Sequence, residues 1–164
     1  TFLIEYAKAY RDAGANGIMM AEPVAGLLSP TLEEEFSSPY VKQIVDAVQT
    51  DDFIVIYHNC GDNTPKMVES ILSTGAAAYH FGNKIDMVEA IKGVPANVPA
   101  MGNLDPVSLF KDATPEEMRK ATLELLEATK DYPNFVLSSG CDTPPHTPFA
   151  NIDAFYEAVK EWNK

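Results

Sequence analysis

Residues 53–61 read FIVIYHNCG, an apolar run that ends abruptly in polar side chains. Its first five residues are β-branched or aromatic and uninterrupted, which predicts a buried strand. His58 and Cys60 follow that strand directly. Because side chains two residues apart in an extended chain point the same way, we expect His58 and Cys60 to project to the same side.

The pattern of a short apolar strand followed by a polar loop recurs along the chain. Four further strands are predicted, at residues 17–20, 77–81, 98–101 and 135–138. About six helices alternate with the strands, which indicates an α/β fold with a parallel sheet and right-handed crossovers. Five strands fit two architectures, a small complete doubly wound domain or the C-terminal five or so βα units of a TIM (β/α)8 barrel.

Composition and charge limit the classes of partner. The 164 residues carry a formal net charge of −12, which argues against nucleic acid or an anionic membrane as a partner, since phosphates need Lys and Arg. No apolar run approaches the roughly 18 residues of a membrane-spanning helix. The two cysteines are too few for a disulfide framework, so we expect a cytoplasmic protein. The chain opens inside a predicted helix and without Met, so we expect that upstream sequence is missing.

Cys141 follows the predicted strand at 135–138, as Cys60 follows the strand at 53–57. The carboxyl ends of parallel barrel strands open on one face, so His58, Cys60 and Cys141 are predicted to converge. One imidazole nitrogen and two thiolates leave the fourth position of a zinc ion open. Two thiolates roughly cancel the Zn²⁺ charge. Such a neutral site suits the binding of another thiol, which is held as a thiolate and can attack an activated methyl group. The alternative is that the cysteines are small buried apolar residues.

Further motifs occur in a fixed order around this pair of strands. They are Glu22-Pro23-Val24-Ala25, His58-Asn59-Cys60-Gly61, His80-Phe81-Gly82, Gly102-Asn103-Leu104-Asp105-Pro106 and Gly140-Cys141-Asp142. Over nearly the whole chain, this order resembles the methylcobalamin:coenzyme M methyltransferases of the uroporphyrinogen decarboxylase superfamily. The resemblance implies a TIM barrel with zinc on His58, Cys60 and Cys141. It favours the barrel over the small domain, so we expect residues 1–164 to be a single partial barrel domain that lacks its N-terminal part. It also implies that a separate corrinoid protein delivers the methyl group on a methylcobalamin-type corrinoid. The acceptor would be a small thiol such as coenzyme M.

Three other polar residues at strand ends are candidates for the site. Glu22 is predicted to orient a substrate or approach the metal, and His80 to serve as a fourth ligand or to support one. Asn103 is predicted to line the pocket and contact a cofactor. The alternatives are a solvated loop carboxylate for Glu22, a core histidine for His80 and turn formation for Asn103.

Three functions remain open at this point. The first is zinc-dependent methyl transfer to a thiol. The second is a metal-free decarboxylase of the uroporphyrinogen type. Those enzymes carry a Gly-His-Gly stretch where this chain has Ser139-Gly140-Cys141, and this difference argues against decarboxylation. The third is a non-catalytic module that binds a corrinoid protein. Because a five-strand sheet exposes its edges, we also expect association with a second copy or a need for the missing half.

Overall fold

The computed structural model describes residues 2–164, which form five strands and seven α-helices. The strands are β1 (Gly17–Ala21), β2 (Ile54–Asn59), β3 (Ala78–Phe81), β4 (Ala100–Leu104) and β5 (Phe135–Ser139). The helices are α1 (Phe2–Asp12), α2 (Pro30–Phe36), α3 (Ser38–Val48), α4 (Val68–Ser73), α5 (Met87–Lys92), α6 (Pro115–Thr129) and α7 (Phe149–Trp162). Two 3₁₀ turns, Ala25–Leu27 and Thr64–Lys66, follow β1 and β2, and a π-helical turn, Pro106–Lys111, follows β4.

The sheet is parallel throughout, and its strands lie side by side in the order β1-β2-β3-β4-β5. A doubly wound sheet reverses its strand order at a switch point, and this sheet has no reversal. The predicted α/β class is therefore confirmed. The unbroken order is the one that consecutive βα units of a barrel produce.

The two faces of the sheet differ in burial. On β2, the side chains of Val55, Tyr57 and Asn59 are fully buried and face the helices, whereas Ile54 on the other face is 38% exposed. On the edge strand β1, Met19 shares the face of Ile54 and is 52% exposed. The open face is the one that a closed barrel turns inward.

Helix α1 leaves its aromatic side chains uncovered. Phe2, Tyr6 and Tyr10 repeat at four-residue spacing, and their rings follow one another with centroids 5.8 and 4.9 Å apart. They are nevertheless 75, 51 and 45% exposed. Tyr6 and Tyr10 border an open, mainly apolar pocket of about 610 Å³ between α1, β1 and α3. Within residues 2–164, no helix combines the length and hydrophobicity needed to cross a membrane.

We predict that a chain limited to residues 1–164 self-associates through this uncovered edge, because exposed strand edges and apolar patches drive association. Replacing Tyr6 and Tyr10 by Glu places charge in the patch and should weaken the association about tenfold or more. Sedimentation velocity over a concentration series measures the dissociation constant, with Lys42→Glu on the exposed surface of α3 as control. A monodisperse wild-type monomer at all concentrations contradicts the prediction.

Candidate metal centre

The ends of β2 and β5 bring three metal-ligating side chains together. Cys60 is the first residue after β2, and Cys141 is the second residue after β5. One ring nitrogen of His58 and the two sulfur atoms all lie within 4.8 Å of one another. Ligands bound to one zinc ion at tetrahedral angles lie about 3.5–4 Å apart. A contraction of about 1.3 Å at most therefore brings the three atoms to binding distance.

The His58 ring is buried and uses only one of its two nitrogens. Its Nδ1 lies 3.2 Å from the carbonyl oxygen of His80 and 2.6 Å from the Nδ1 of that residue. Its Nε2 is buried and has no hydrogen-bond partner. An unpaired buried polar atom costs about 1–3 kcal/mol, which a bound ion would offset. The orphaned nitrogen and the two thiols fit a zinc ion.

The protonation of the ligands follows from their burial. Burial lowers the pKa of His58, which keeps the ring neutral and its lone pair available near pH 7. Burial, followed by the neighbouring Cys141, raises the pKa of the Cys60 thiol. Both cysteines are free. Without an ion Cys60 is therefore protonated at neutral pH, and metal binding must displace that proton.

His80 lies directly beside His58, and its predicted role as a fourth ligand or as support for one stays a prediction. The register of β2 and β3 pairs His58 directly with His80, so their rings lie side by side with centroids 4.6 Å apart. The Nε2 of His80 lies 2.8 Å from the carbonyl oxygen of Ser139 and 2.9 Å from the Ser138 hydroxyl. His80 thus connects a candidate ligand on β2 to the end of β5.

Two glycines allow backbone segments to approach each other around the ligands. A Cβ atom on Gly82 would lie only 2.4 Å from the Cβ of Cys60, and one on Gly61 would lie 2.1 Å from the backbone of Gly26. Real Cβ contacts are not this short, so both positions require glycine. Gly82 therefore defines the space that Cys60 occupies. The sequence contains Gly directly after β3 and β5 and two residues after β2, but it does not reveal these contacts.

The backbone N–H of Glu22 donates to the carbonyl oxygen of His58 at 3.0 Å, but its side chain is not brought together with the cluster. Its carboxylate accepts hydrogen bonds from the Ser37 hydroxyl at 2.5 Å and from the Tyr57 hydroxyl at 2.8 Å. Tyr57 lies on the helix-facing side of β2, opposite to His58. These contacts fix the end of β1 against β2 and α3. A direct role of Glu22 with substrate stays a prediction.

Asn103 uses its amide within the protein. Its Nδ2 donates to the carbonyl oxygens of Gly82 at 3.0 Å and Ile85 at 2.6 Å, which holds the loop after β3 against β4. The side chain therefore positions the segment that contains Gly82. The predicted cofactor contact of Asn103 is not tested by this arrangement.

Asn59, which lies between His58 and Cys60, was not singled out from the sequence. Its Oδ1 accepts a hydrogen bond from the Thr64 hydroxyl at 2.5 Å, so the buried amide holds the turn that follows Cys60. The usable signal was an Asn two residues before Gly61, since an Asn side chain can close a turn by accepting from the backbone two residues on; Asn59 Oδ1 accepts from the Gly61 N–H at 3.4 Å.

A pocket of about 470 Å³ opens beside the three ligands. Its apolar wall consists of Met19, Ala21, Pro23 and Met101, and its polar wall includes Ser138, Asp142 and Thr143. The pocket is large enough for a small substrate next to a bound ion.

The sheet order and the strand-end position of the site define a fold of the (β/α)-barrel type. The sequence matches the family described as "Uroporphyrinogen decarboxylase (URO-D)" over residues 1–162. The chain therefore belongs to the uroporphyrinogen decarboxylase family, as the resemblance predicted.

Curated relatives of this chain carry the names of two different enzymes. The "Methylcobamide:CoM methyltransferase MtbA" of Methanosarcina mazei is 33% identical over 163 residues, covering 98% of this chain and 46% of the relative. The "Uroporphyrinogen decarboxylase" of Prochlorococcus marinus is 32% identical over 158 residues, covering 93% of this chain and 43% of the relative. The chain spans about half the length of the curated relatives it matches.

A solved structure titled "methyltransferase from Methanosarcina mazei" superposes with a TM-score of 0.84 and 25% sequence identity. The match covers 98% of this chain and 46% of that structure. It confirms the expected fold, an α/β chain that corresponds to part of a TIM-barrel methyltransferase.

We predict that Gly82→Ala lowers zinc affinity about tenfold or more while the fold is retained. The new methyl group overlaps Cys60, and overpacking of this kind costs about 1–3 kcal/mol and displaces backbone. Competition with a chromogenic chelator measures the affinity, and circular dichroism checks the fold. Gly93→Ala is the matched control, because its nearest neighbour is the Val68 side chain at 3.0 Å, remote from the ligands. Unchanged affinity in Gly82→Ala would mean that the position of Cys60 does not matter.

We also predict that zinc affinity rises with pH through the neutral range. The pKa of Cys60 is raised, so binding releases its proton at any pH below that value, and each unit of pH gained strengthens binding about tenfold per proton. The gain ends above the raised pKa of Cys60. Chelator competition at about pH 6.5 and about pH 8 measures the slope. A flat profile contradicts thiolate ligation.

Proposed function

We propose that the protein is a zinc-dependent methyltransferase that moves a methyl group from a methylcorrinoid donor to a small thiol. The observation that carries this proposal is the convergence of the His58 ring and the two thiols within 4.8 Å at one end of the sheet. The buried, unpartnered nitrogen of His58 supports it independently.

The proposed ligands are His58, Cys60 and Cys141. When bound, zinc supplies a Lewis acid that holds the acceptor sulfur as a thiolate at neutral pH. The two cysteines contribute two negative charges that balance those of the ion, so the shell adds no net charge to the pocket. His58 stays neutral because its pKa is lowered by burial. A neutral shell leaves the bound sulfur more nucleophilic than a cationic one would, which favours attack on a methyl group over hydrolysis.

The pocket determines how the two substrates approach. Its volume of about 470 Å³ fits a small thiol, whereas a corrinoid macrocycle is too large to enter whole. Met19 and Met101 give the pocket an apolar wall beside the ligands, which suits the carbon chain of a small thiol. We therefore propose that a separate corrinoid protein docks outside the pocket, and that only the methyl group of its corrinoid reaches the pocket opening. In the reaction the cobalt–carbon bond would break with its electron pair left on cobalt, which is reduced from Co(III) to Co(I), while the thiol loses its proton and a sulfur–carbon bond forms.

Coenzyme M is the acceptor that we propose to test first. The name of the relatives from Methanosarcina, "Methylcobamide:CoM methyltransferase MtbA", supports both that acceptor and a methylcobamide donor. This chain matches only 46% of the relative from Methanosarcina mazei. We therefore propose that activity also requires the rest of the barrel.

Decarboxylation of uroporphyrinogen is the second candidate, and relatives with that name at 30–32% identity favour it. Against it stands Cys141, which occupies the end of β5 and faces Cys60. Decarboxylation without a metal does not require an imidazole and two thiols within 4.8 Å of one another, whereas a zinc site does. Turnover of uroporphyrinogen by the full-length protein after zinc removal would favour this second function.

We predict that the full-length protein, purified under reducing conditions, contains about one zinc per chain and that Cys141→Ala loses it. Methyl transfer from methylcobalamin to coenzyme M should then fall about 100-fold or more, since loss of a ligand exceeds the 10–100-fold effect of supporting residues. Metal analysis and the loss of methylcobalamin absorption measure the two quantities. The control is Ser73→Ala, an exposed position on α4.

Equal rates in Cys141→Ala and wild type would remove the catalytic role of the site. Tight binding of a corrinoid protein without methyl transfer would favour the non-catalytic module instead.

A further inference from the structure

The contact between His58 and His80 limits which of their ring nitrogens can carry a proton. Their Nδ1 atoms are 2.6 Å apart, which is hydrogen-bond distance. Two N–H groups or two lone pairs would repel each other at that distance. One ring must therefore donate to the other.

Backbone carbonyl groups determine which ring is the donor, because a carbonyl oxygen can only accept. The Nδ1 of His58 lies 3.2 Å from the carbonyl oxygen of His80, which requires the proton on His58 Nδ1. The Nε2 of His80 lies 2.8 Å from the carbonyl oxygen of Ser139, which requires a proton on that nitrogen. A neutral His80 then carries its lone pair on Nδ1 and accepts from His58. The two assignments were made from different carbonyl groups, and they agree.

The remaining nitrogen is the one that matters for an ion. With its proton on Nδ1, His58 carries its free lone pair on Nε2, the buried atom that has no partner. We propose that His80 is a positioning residue: held by the Ser139 carbonyl, it fixes the tautomer and orientation of His58 so that the Nε2 lone pair is available to the metal. This inference rests on the metal site of the proposed function.

Ser139 also acts on the other side of the site. Its hydroxyl donates to the carbonyl oxygen of Cys141 at 2.8 Å, in the segment that contains the third ligand. The carbonyl group of Ser139 thus orients His80, while its hydroxyl orients Cys141. One residue at the end of β5 couples the imidazole ligand on β2 to the sulfur ligand after β5.

The direct test determines the tautomers of both rings in the metal-free, full-length protein. Long-range proton–nitrogen correlation spectra of ¹⁵N-histidine-labelled protein distinguish a protonated Nδ1 from a protonated Nε2. We expect His58 with its proton on Nδ1 and His80 with its proton on Nε2. After loading with ¹¹³Cd, coupling should appear at Nε2 of His58. A proton on Nε2 of His58 in the metal-free state, or cadmium coupling at its Nδ1, overturns the proposal.

Substitutions test the consequence for binding. His80→Phe removes both the acceptor for His58 and the donor to Ser139, and we expect zinc affinity to fall about 10–100-fold, the range for groups that support metal ligands. His80→Asn restores an acceptor near the Nδ1 position and should recover most of the loss. His146→Asn, in an exposed loop, is the control for a histidine outside the site.

The outcomes separate the two proposals. Wild-type affinity in a folded His80→Phe, or no recovery in a folded His80→Asn, overturns the positioning role. If His80→Phe does not fold, the tautomer measurement on the wild type still decides. Failure of the wild type to bind zinc or cadmium would end the proposed function, whereas the wrong tautomers in a protein that does bind zinc would end only this inference.

Discussion

The register of β2 and β3 is the constraint on which the site depends. It pairs His58 with His80, so that the two rings lie side by side on the open face of the sheet. One nitrogen of His58 is then buried without a hydrogen-bond partner. A one-residue shift of either strand would turn its histidine to the helix side and separate the two rings. The polar contacts around the pair, from Ser139 and from Asn103 through the Gly82 segment, hold this arrangement.

The same topology explains why distant residues can form one site. Parallel strands in sequential order end along one edge of the sheet, and the loops that follow them are neighbours whatever their separation along the chain. Cys60 and Cys141 are brought together in this way. Glycine at position 82 removes the side chain that would otherwise push Cys60 out, so the loop backbone and not side-chain packing sets the position of that sulfur.

The sequence predicted the strands well because each is a short apolar run that ends at a polar loop. The prediction for β2 stopped at Tyr57, whereas the strand continues to Asn59, since pairing with β3 keeps these polar residues extended. The convergence of His58, Cys60 and Cys141 was predictable from strand ends alone. The orientation of Glu22 toward Tyr57, the backbone contacts of Asn103 and the proton positions on the histidines were not. Each depends on neighbours that only the folded chain supplies.

The account as a whole depends on an ion held by one imidazole nitrogen and two sulfurs. X-ray absorption spectroscopy of the zinc-loaded, reduced protein measures that shell most directly. The account predicts two sulfur ligands at about 2.3 Å and a nitrogen ligand at about 2.0–2.1 Å, with one lighter ligand completing the shell in the absence of substrate. A shell made only of nitrogen and oxygen atoms, or a protein that retains no zinc, would contradict it.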